Sequence, residues 1–218
     1  MPAPSTPPAA CVFDLDGTLV DSLRDIGESV NECLELLGIG PIVLERYRYL
    51  VGEGIPLLCR RAIGDAHPHL VERLIELARP RYRTRLLRHT RPYAGVNELI
   101  GRLCRADIKL GVLSNKPHDM TGRIVRAFWP TEFQEVWGYV EEAGRKPDPT
   151  RLLSICARFG VSPRETWLIG DTPTDIETAR RAGVVGVGVT WGFRTDADLR
   201  EAGAAWIVDV PAELAIGD

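Results

Sequence analysis

Ala10-Cys11-Val12-Phe13-Asp14-Leu15-Asp16-Gly17-Thr18-Leu19-Val20-Asp21-Ser22 is the stretch whose reading decides the fold. Its first four residues read as a buried strand, and the acidic residues begin where that run stops. On an extended chain residues i and i+2 face the same way, so Asp14 and Asp16 point together beyond the strand end. Gly17 lets the backbone turn sharply and bring peptide N–H groups toward an anion. Asp-x-Asp-Gly also occurs in calcium loops. With Gly17 at the invariant glycine of such a loop, however, its first and last ligand positions fall on Val12 and Leu23, which cannot ligate.

Working outward, short apolar runs alternate with helical patterns, as in an α/β fold with a parallel sheet. Leu110 to Leu113, Trp167 to Ile169, Val185 to Val189 and Trp206 to Val208 read as further strands. Val96 to Arg105, Thr150 to Phe159 and Asp175 to Ala182 read as the helices between them. From about Ser22 to Arg88 the alternation stops. Ile26, Val30, Cys33, Leu34 and Leu37 recur at helical spacing, with Ser22 as N-cap and Gly38 as the stop. Val71, Leu74, Ile75, Ala78, Tyr82 and Leu86 form a second stripe, expected to kink or break before Pro80. The expectation is an α/β, Rossmann-like doubly wound parallel sheet with a helical cap inserted after the first strand. Residues 1–9 form a disordered leader, 10–21 and 89–218 the catalytic core, and 22–88 the cap. Open sheets bind ligands at the carboxyl ends of their strands, so such a cap would cover the site.

A second acidic pair, Asp171 and Asp175, follows the run Trp167-Leu168-Ile169. Four carboxylates in one cleft repel one another unless a cation joins them, and an oxygen-only set with room for water and phosphate suits Mg²⁺. Alone, Asp171 and Asp175 read equally well as helix N-terminal capping residues. Ser114 closes the run Leu110-Gly111-Val112-Leu113, and Lys146 lies just before a helix in Gly144-Arg145-Lys146-Pro147-Asp148-Pro149. A hydroxyl there can donate to a phosphate oxygen, and an ammonium can offset negative charge. Singly, the two read as a capping serine and a solvated lysine.

Composition narrows the partners. With 218 residues, 44% hydrophobic, the chain can bury a full core, and a net charge of -3 implies no broad attraction to nucleic acid or anionic membrane. No apolar run approaches membrane-spanning length, and the Pro- and Ala-rich start lacks the pattern of a signal peptide. The five cysteines show neither a disulfide framework nor zinc-ligand spacing, and read as buried small hydrophobes in a reducing cytoplasm. No Gly-x-x-x-x-Gly-Lys-[Ser/Thr] loop is present.

Taken together and in this order, the pieces resemble the haloacid dehalogenase-like hydrolase superfamily. Its Asp-x-Asp-x-Thr-Leu loop is matched by Asp14 to Leu19, its strand-terminal hydroxyl by Ser114, its lysine by Lys146, and its Gly-Asp with a further Asp by Asp171 and Asp175. Within it, Val51-Gly52-Glu53-Gly54-Ile55, Pro92-Tyr93-Ala94-Gly95-Val96 and Leu113-Ser114-Asn115-Lys116-Pro117 are similar to the phosphoglycolate phosphatase-type branch. Related sugar-phosphate phosphatases, phosphomutases and pyrophosphatases share several of these marks.

The resemblance implies a Mg²⁺-dependent phosphatase acting on a small phosphorylated metabolite, with 2-phosphoglycolate as the leading candidate. Asp14 would be the nucleophile and Asp16 the acid/base. Mg²⁺ would be held by the Asp14 carboxylate, the Asp16 main-chain carbonyl and Asp171, with Asp175 acting through water. The transferring oxygens would be held by Ser114, Lys146 and main-chain N–H groups after Asp14, in a phosphate-binding set that includes Leu15, Thr18 and Asn115. A dehalogenase lacks an acid/base aspartate two residues after its nucleophile, and transport ATPases carry Thr there. The implied protein is a cytoplasmic monomer or homodimer. A phosphomutase or pyrophosphatase of the same superfamily is the enzymatic alternative, and a silent regulator on the same fold is the non-enzymatic one. Substrate choice is expected to reside in the cap, where Arg46, Arg48, Arg60 or Arg61 could pair with a substrate carboxylate.

Overall fold

The computed structural model describes residues 6–141 and 144–214. Six strands form one parallel sheet: β1 (Ala10–Phe13), β4 (Lys109–Pro117), β5 (Glu135–Tyr139), β6 (Thr166–Gly170), β7 (Val185–Val189) and β8 (Trp206–Val208), in the order β5-β4-β1-β6-β7-β8. Helices α5 (Val96–Arg105), α6 (His118–Phe128), α7 (Thr150–Phe159), α8 (Pro173–Ala182) and α9 (Asp196–Glu201) make the connections. Period-two alternation sorts the strand residues between the two faces. Cys11, Phe13, Trp167 and Ile169 pack in one cluster with Leu99, Ile100 and Ile124, whereas Val12 and Leu168 pack in another with Leu152, Ile155 and Ala179. The sheet is therefore covered on both sides, as a parallel sheet requires. From β1 the chain builds outward to β4 and β5, then crosses back to β6 on the other flank, so the switch in strand order falls beside β1.

The segment between β1 and β4 is helical: α1 (Leu23–Leu36), α2 (Tyr47–Leu50), α3 (Ile55–Ile63) and α4 (Val71–Arg85), with single 3₁₀ turns at Leu44–Arg46 and Pro68–Leu70. Gly38 has φ 75° and ends α1 as expected. Ser22 occupies the N-cap position but caps nothing, because its Oγ donates to Asp16 Oδ1 at 2.5 Å. The break expected before Pro80 does not occur, and α4 runs through it. Pro80 lies on the exposed face, where water can satisfy the carbonyl left without a partner.

Two short strands join this insertion to the sheet. β2 (Val20–Asp21) pairs antiparallel with β3 (Arg91–Pro92), Val20 opposite Pro92 and Asp21 opposite Arg91. Just beyond them, the buried Asp25 carboxylate accepts hydrogen bonds from His89 N (2.9 and 3.0 Å), Thr90 N (2.8 Å) and Thr90 Oγ1 (2.7 Å). Neither device is apparent from the chain's periodicity.

Three further expectations are adjusted. Of the leader expected over 1–9, residues 1–5 lie outside the described residues, while Ala9 already donates to Glu165 O just before β6 (2.8 Å) and accepts from Lys109 N of β4 (3.1 Å). All five cysteines are free, but Cys104 is exposed, not buried. β5 and α6 were not among the expected elements. β5 is a half-buried edge strand of mixed composition, Glu-Val-Trp-Gly-Tyr, so it lacks a continuous apolar run. Among the described residues, no helix is long and apolar enough to cross a membrane.

Candidate active site

The carboxyl ends of β1, β4 and β6 bring the sequence motifs together. Asp14, Asp171 and Asp175 are buried, and a carboxylate oxygen from each lies within 4.8 Å of the others. Lys146, on the loop before α7, reaches between two of them, with Nζ 2.8 Å from Asp14 Oδ1 and 2.6 Å from Asp175 Oδ1. Asp14 Oδ1 also accepts from Leu15 N at 2.7 Å, and no hydrogen bond reaches Asp14 Oδ2 among the described residues. One oxygen of Asp14 is thus fixed and the other left open.

Close approach depends on two glycines. Gly17 has φ +90°, and a Cβ on it would stand 2.3 Å from Asp171 Oδ2. A Cβ on Gly192 would stand 2.2 Å from the Gly17 carbonyl oxygen and 2.3 Å from Asp171 Cβ. Bare backbone on both sides is what allows the Asp171 carboxylate to sit beside the first loop.

Asp171 accepts from Thr18 Oγ1 at 3.0 Å and from Phe193 N at 2.8 Å. Thr18, grouped by the sequence with the phosphate ligands, therefore spends its hydroxyl on a carboxylate. Asp175 Oδ2 accepts from Thr172 N (3.1 Å) and Thr172 Oγ1 (2.7 Å) in a capping box on α8. Asp175 thus caps a helix, as one reading of it has it, and also pairs with Lys146.

Asn115 departs from expectation. Its Oδ1 accepts from Lys146 N at 2.8 Å, and its Nδ2 donates to Lys146 O (3.2 Å) and to Gly52 O of the insertion (3.1 Å). An amide so occupied positions the Lys146 backbone rather than holding a phosphate oxygen. The Leu15 side chain is buried in the core, so only its main-chain N–H faces the site. Ser114, also buried, accepts from Lys116 N at 3.3 Å and lines a cavity with Asp14 and Asp16.

Burial and crowding set the electrostatics. Burial first, then the Asp14 and Asp175 charges, push the Asp171 carboxyl up to about 8. Burial also lifts Asp14 to about 6, opposed by Lys146 and reinforced by Asp175. Burial alone would lower the Lys146 ammonium, but the two carboxylates outweigh it and hold Lys146 above the usual lysine range. Four carboxylates thus face two ammoniums, Lys146 and Lys116, a deficit that one divalent cation would close. The donors are all oxygen, and Asp14, Asp171 and Asp175 each bring one carboxylate oxygen within 4.8 Å of the others, so the residues fit Mg²⁺.

The sequence reading left Lys116 without a role. Its Nζ lies 2.8 and 2.7 Å from the two oxygens of Asp16 and 4.6 Å from the centre of the Tyr82 ring on α4. The signal was present. Lys116 stands two residues after Ser114 on a strand, so the rule that paired Asp14 with Asp16 places it on Ser114's side. The four cap arginines fare differently. Arg46 and Arg60 are exposed, Arg61 is exposed and paired with Glu53, and Arg48 donates to Gly192 O. None lines the cavity, so the expectation that a cap arginine faces the site is not met.

The insertion closes over the cavity through its own main chain. Arg145 Nη1 donates to Glu53 O at 3.0 Å, Arg194 Nη2 to Val51 O at 3.1 Å, and Asn115 to Gly52 O. The loop after β7, which carries Phe193 and Arg194, is a second contributor with no motif in the sequence to mark it.

The chain is similar to known phosphatases over nearly its whole length. The chain is 35% identical to the phosphoglycolate phosphatase of Chromobacterium violaceum, covering 94% of each chain, and 32% identical to that of Haemophilus influenzae, covering 93% of this chain and 94% of the relative. A crystal structure of a predicted phosphoglycolate phosphatase from Haemophilus somnus superposes with a TM-score of 0.88 at 28% identity, covering 97% of this chain and 98% of that one. The family model described as haloacid dehalogenase-like hydrolase matches residues 11–189, and the chain belongs to that family.

Proposed function

We propose that this chain is a cytoplasmic, Mg²⁺-dependent phosphatase that hydrolyses a small phosphomonoester, 2-phosphoglycolate first among candidates, through an aspartyl-phosphate on Asp14. The observation that carries the reading is the asymmetry of Asp14, with Oδ1 held by Lys146 and Leu15 N and Oδ2 free at the end of β1. Asp14 Oδ2 attacks phosphorus in line, and the bond from phosphorus to the ester oxygen breaks. Asp16 gives its proton to the departing alkoxide, then takes one from the water that attacks the acyl-phosphate, which restores Asp14 and releases phosphate. Lys146 and the Ser114 hydroxyl stand where they can hold the transferring oxygens. Bound Mg²⁺, held by Asp14, the Asp16 carbonyl and Asp171, would supply charge neutralisation that lets an anionic nucleophile meet an anionic phosphate. Asp175 contributes by holding Lys146.

The names of the relatives support the substrate candidate. The test is a panel of phosphorylated metabolites with Mg²⁺, scored for inorganic phosphate and for rearranged sugar phosphate. Phosphate release with 2-phosphoglycolate among the best substrates is expected. Isomerised sugar phosphate without net release would replace the phosphatase with a phosphomutase.

A further inference from the structure

Between the helical insertion and the sheet lies a cavity of about 50 Å³. Its upper wall is hydrocarbon, from Ile26, Val30, Val51, Ile55, Leu58 and Ala78, and its floor is the site around Asp14. Beyond the motif residues and Asn115, the lining side chains include two with polar atoms, Lys116 and Tyr82. Both are deeply buried. Lys116 directs N–H groups to both oxygens of Asp16 and lies against the Tyr82 ring. The Tyr82 hydroxyl has no hydrogen-bond partner at all among the described residues. A buried hydroxyl without a partner is costly, and of the three N–H donors of the ammonium the Asp16 oxygens take two, so both groups can still donate to a ligand.

We propose that Lys116 and Tyr82 together receive an anionic group on the leaving-group side of the substrate, which assigns this site to short phosphomonoesters bearing a carboxylate. The proposal rests on the reading of Asp14 and Asp16 given above. Asp16 must touch the ester oxygen to protonate it, and the Lys116 ammonium is within 2.8 Å of the Asp16 carboxylate. A carboxylate one or two bonds beyond that oxygen therefore falls within reach of Lys116, with the Tyr82 hydroxyl as a second donor. Size and polarity argue against a sugar. A cavity of this volume holds only a few water-sized groups. A sugar's remaining hydroxyls would face hydrocarbon and lose their hydrogen bonds to water. A two-carbon acid presents one anion to two donors and a methylene to the apolar wall.

The experiment compares wild type, Lys116→Met and Tyr82→Phe on 2-phosphoglycolate, on 2-hydroxyethyl phosphate and on p-nitrophenyl phosphate, all with saturating Mg²⁺. Lys116 also contacts Asp16, so kcat is expected to fall on every substrate. The informative quantity is the ratio of kcat/KM between the first two. Wild type should prefer the carboxylated ester, and Lys116→Met should shrink that preference by about thirtyfold or more, chiefly through KM. Tyr82→Phe keeps the ring and core packing, and should shrink it by about three- to tenfold. If Lys116→Met lowers all three substrates by one common factor, Lys116 only positions Asp16 and the proposal is overturned. It is equally overturned if Tyr82→Phe leaves the ratio unchanged while Lys116→Met fails to fold. Hydrolysis of none of the three by wild type would bring down the phosphatase reading itself, an outcome distinct from unselective hydrolysis.

Discussion

The two walls of the cavity are built on opposite principles. On the sheet side, Lys116 pairs with Asp16, Lys146 pairs with Asp14 and Asp175, and Asp171 accepts from Thr18, so every charged group there has a directional partner. On the cap side the lining side chains are aliphatic apart from Tyr82, whose hydroxyl has no hydrogen-bond partner among the described residues. A phosphoryl group has the same shape and charge in every substrate, so the wall that grips it can be rigid and fully specified. The wall that meets the leaving group needs only shape and one or two donors, and it can change without disturbing the chemistry.

The sharpest break of that contrast comes from the sheet side. Asp14→Asn should lower kcat by about 10⁴-fold or more, because an amide cannot form the acyl-phosphate. Its Tm should hold or rise, since the change removes a crowded charge. Asp16→Asn should be nearly as damaging but should leave phosphate trapped on Asp14, detectable as a mass increase on the intact protein. An Asp14 variant with near-normal kcat would end the proposed mechanism.

Next in size is the metal. EDTA should abolish turnover and Mg²⁺ restore it. Stability should follow with a definite sign. Asp171 and Asp14 are lifted to about 8 and about 6, so the metal-free fold retains protons that the unfolded chain releases at lower pH. Their stabilising contribution is full below the ordinary carboxylate range and is lost as pH rises through those values. Without metal, Tm should therefore fall between about pH 5 and about pH 8.5, and Mg²⁺ should raise it most at the alkaline end. An equal gain from Mg²⁺ across the window would count against a site made of these carboxylates.

Smaller effects belong to the cap wall. Leu58→Ala, on α3 of the insertion, should cost about 2 kcal/mol of stability in a urea melt while improving kcat/KM on bulkier phosphate esters relative to short ones by a few-fold. The smallest effect is reserved for Arg60→Ala and Arg61→Ala. Arg60 is solvated, and Arg61 pairs with the surface Glu53 and donates to Leu50 O, away from the cavity lining, so kcat/KM on 2-phosphoglycolate should stay within about twofold.

The parts of this molecule legible from sequence are those that obey short-range rules. β1 and β6 announce themselves because buried parallel strands are apolar throughout, and their carboxylates stand out because each run ends in one. The glycine after α1 is legible because a left-handed stop admits little else. What escaped needed distance in the chain. β5 hides because an edge strand is only half buried. The bonds of Asp25 to residues 64 and 65 positions away, and the meeting of Phe193 N with Asp171, have no local signature. The arginines are a poor guide because charge in a sequence carries no direction. Those of α3 face solvent, while the cation that does enter the cavity comes from β4, beside Ser114.

The narrow junction between insertion and sheet has a consequence for how such a chain is put together. Polypeptide leaves through Asp21 and returns through Arg91, which are partners in one antiparallel pair, and Asp25 ties the two passages together just above it. Strands so paired stand about 5 Å apart. Everything from Ser22 to Thr90 thus hangs on two adjacent covalent links, and splicing in a different segment demands only that its ends meet at that spacing. The insertion and the sheet are thus separable stretches along the gene, joined at a seam one residue pair wide.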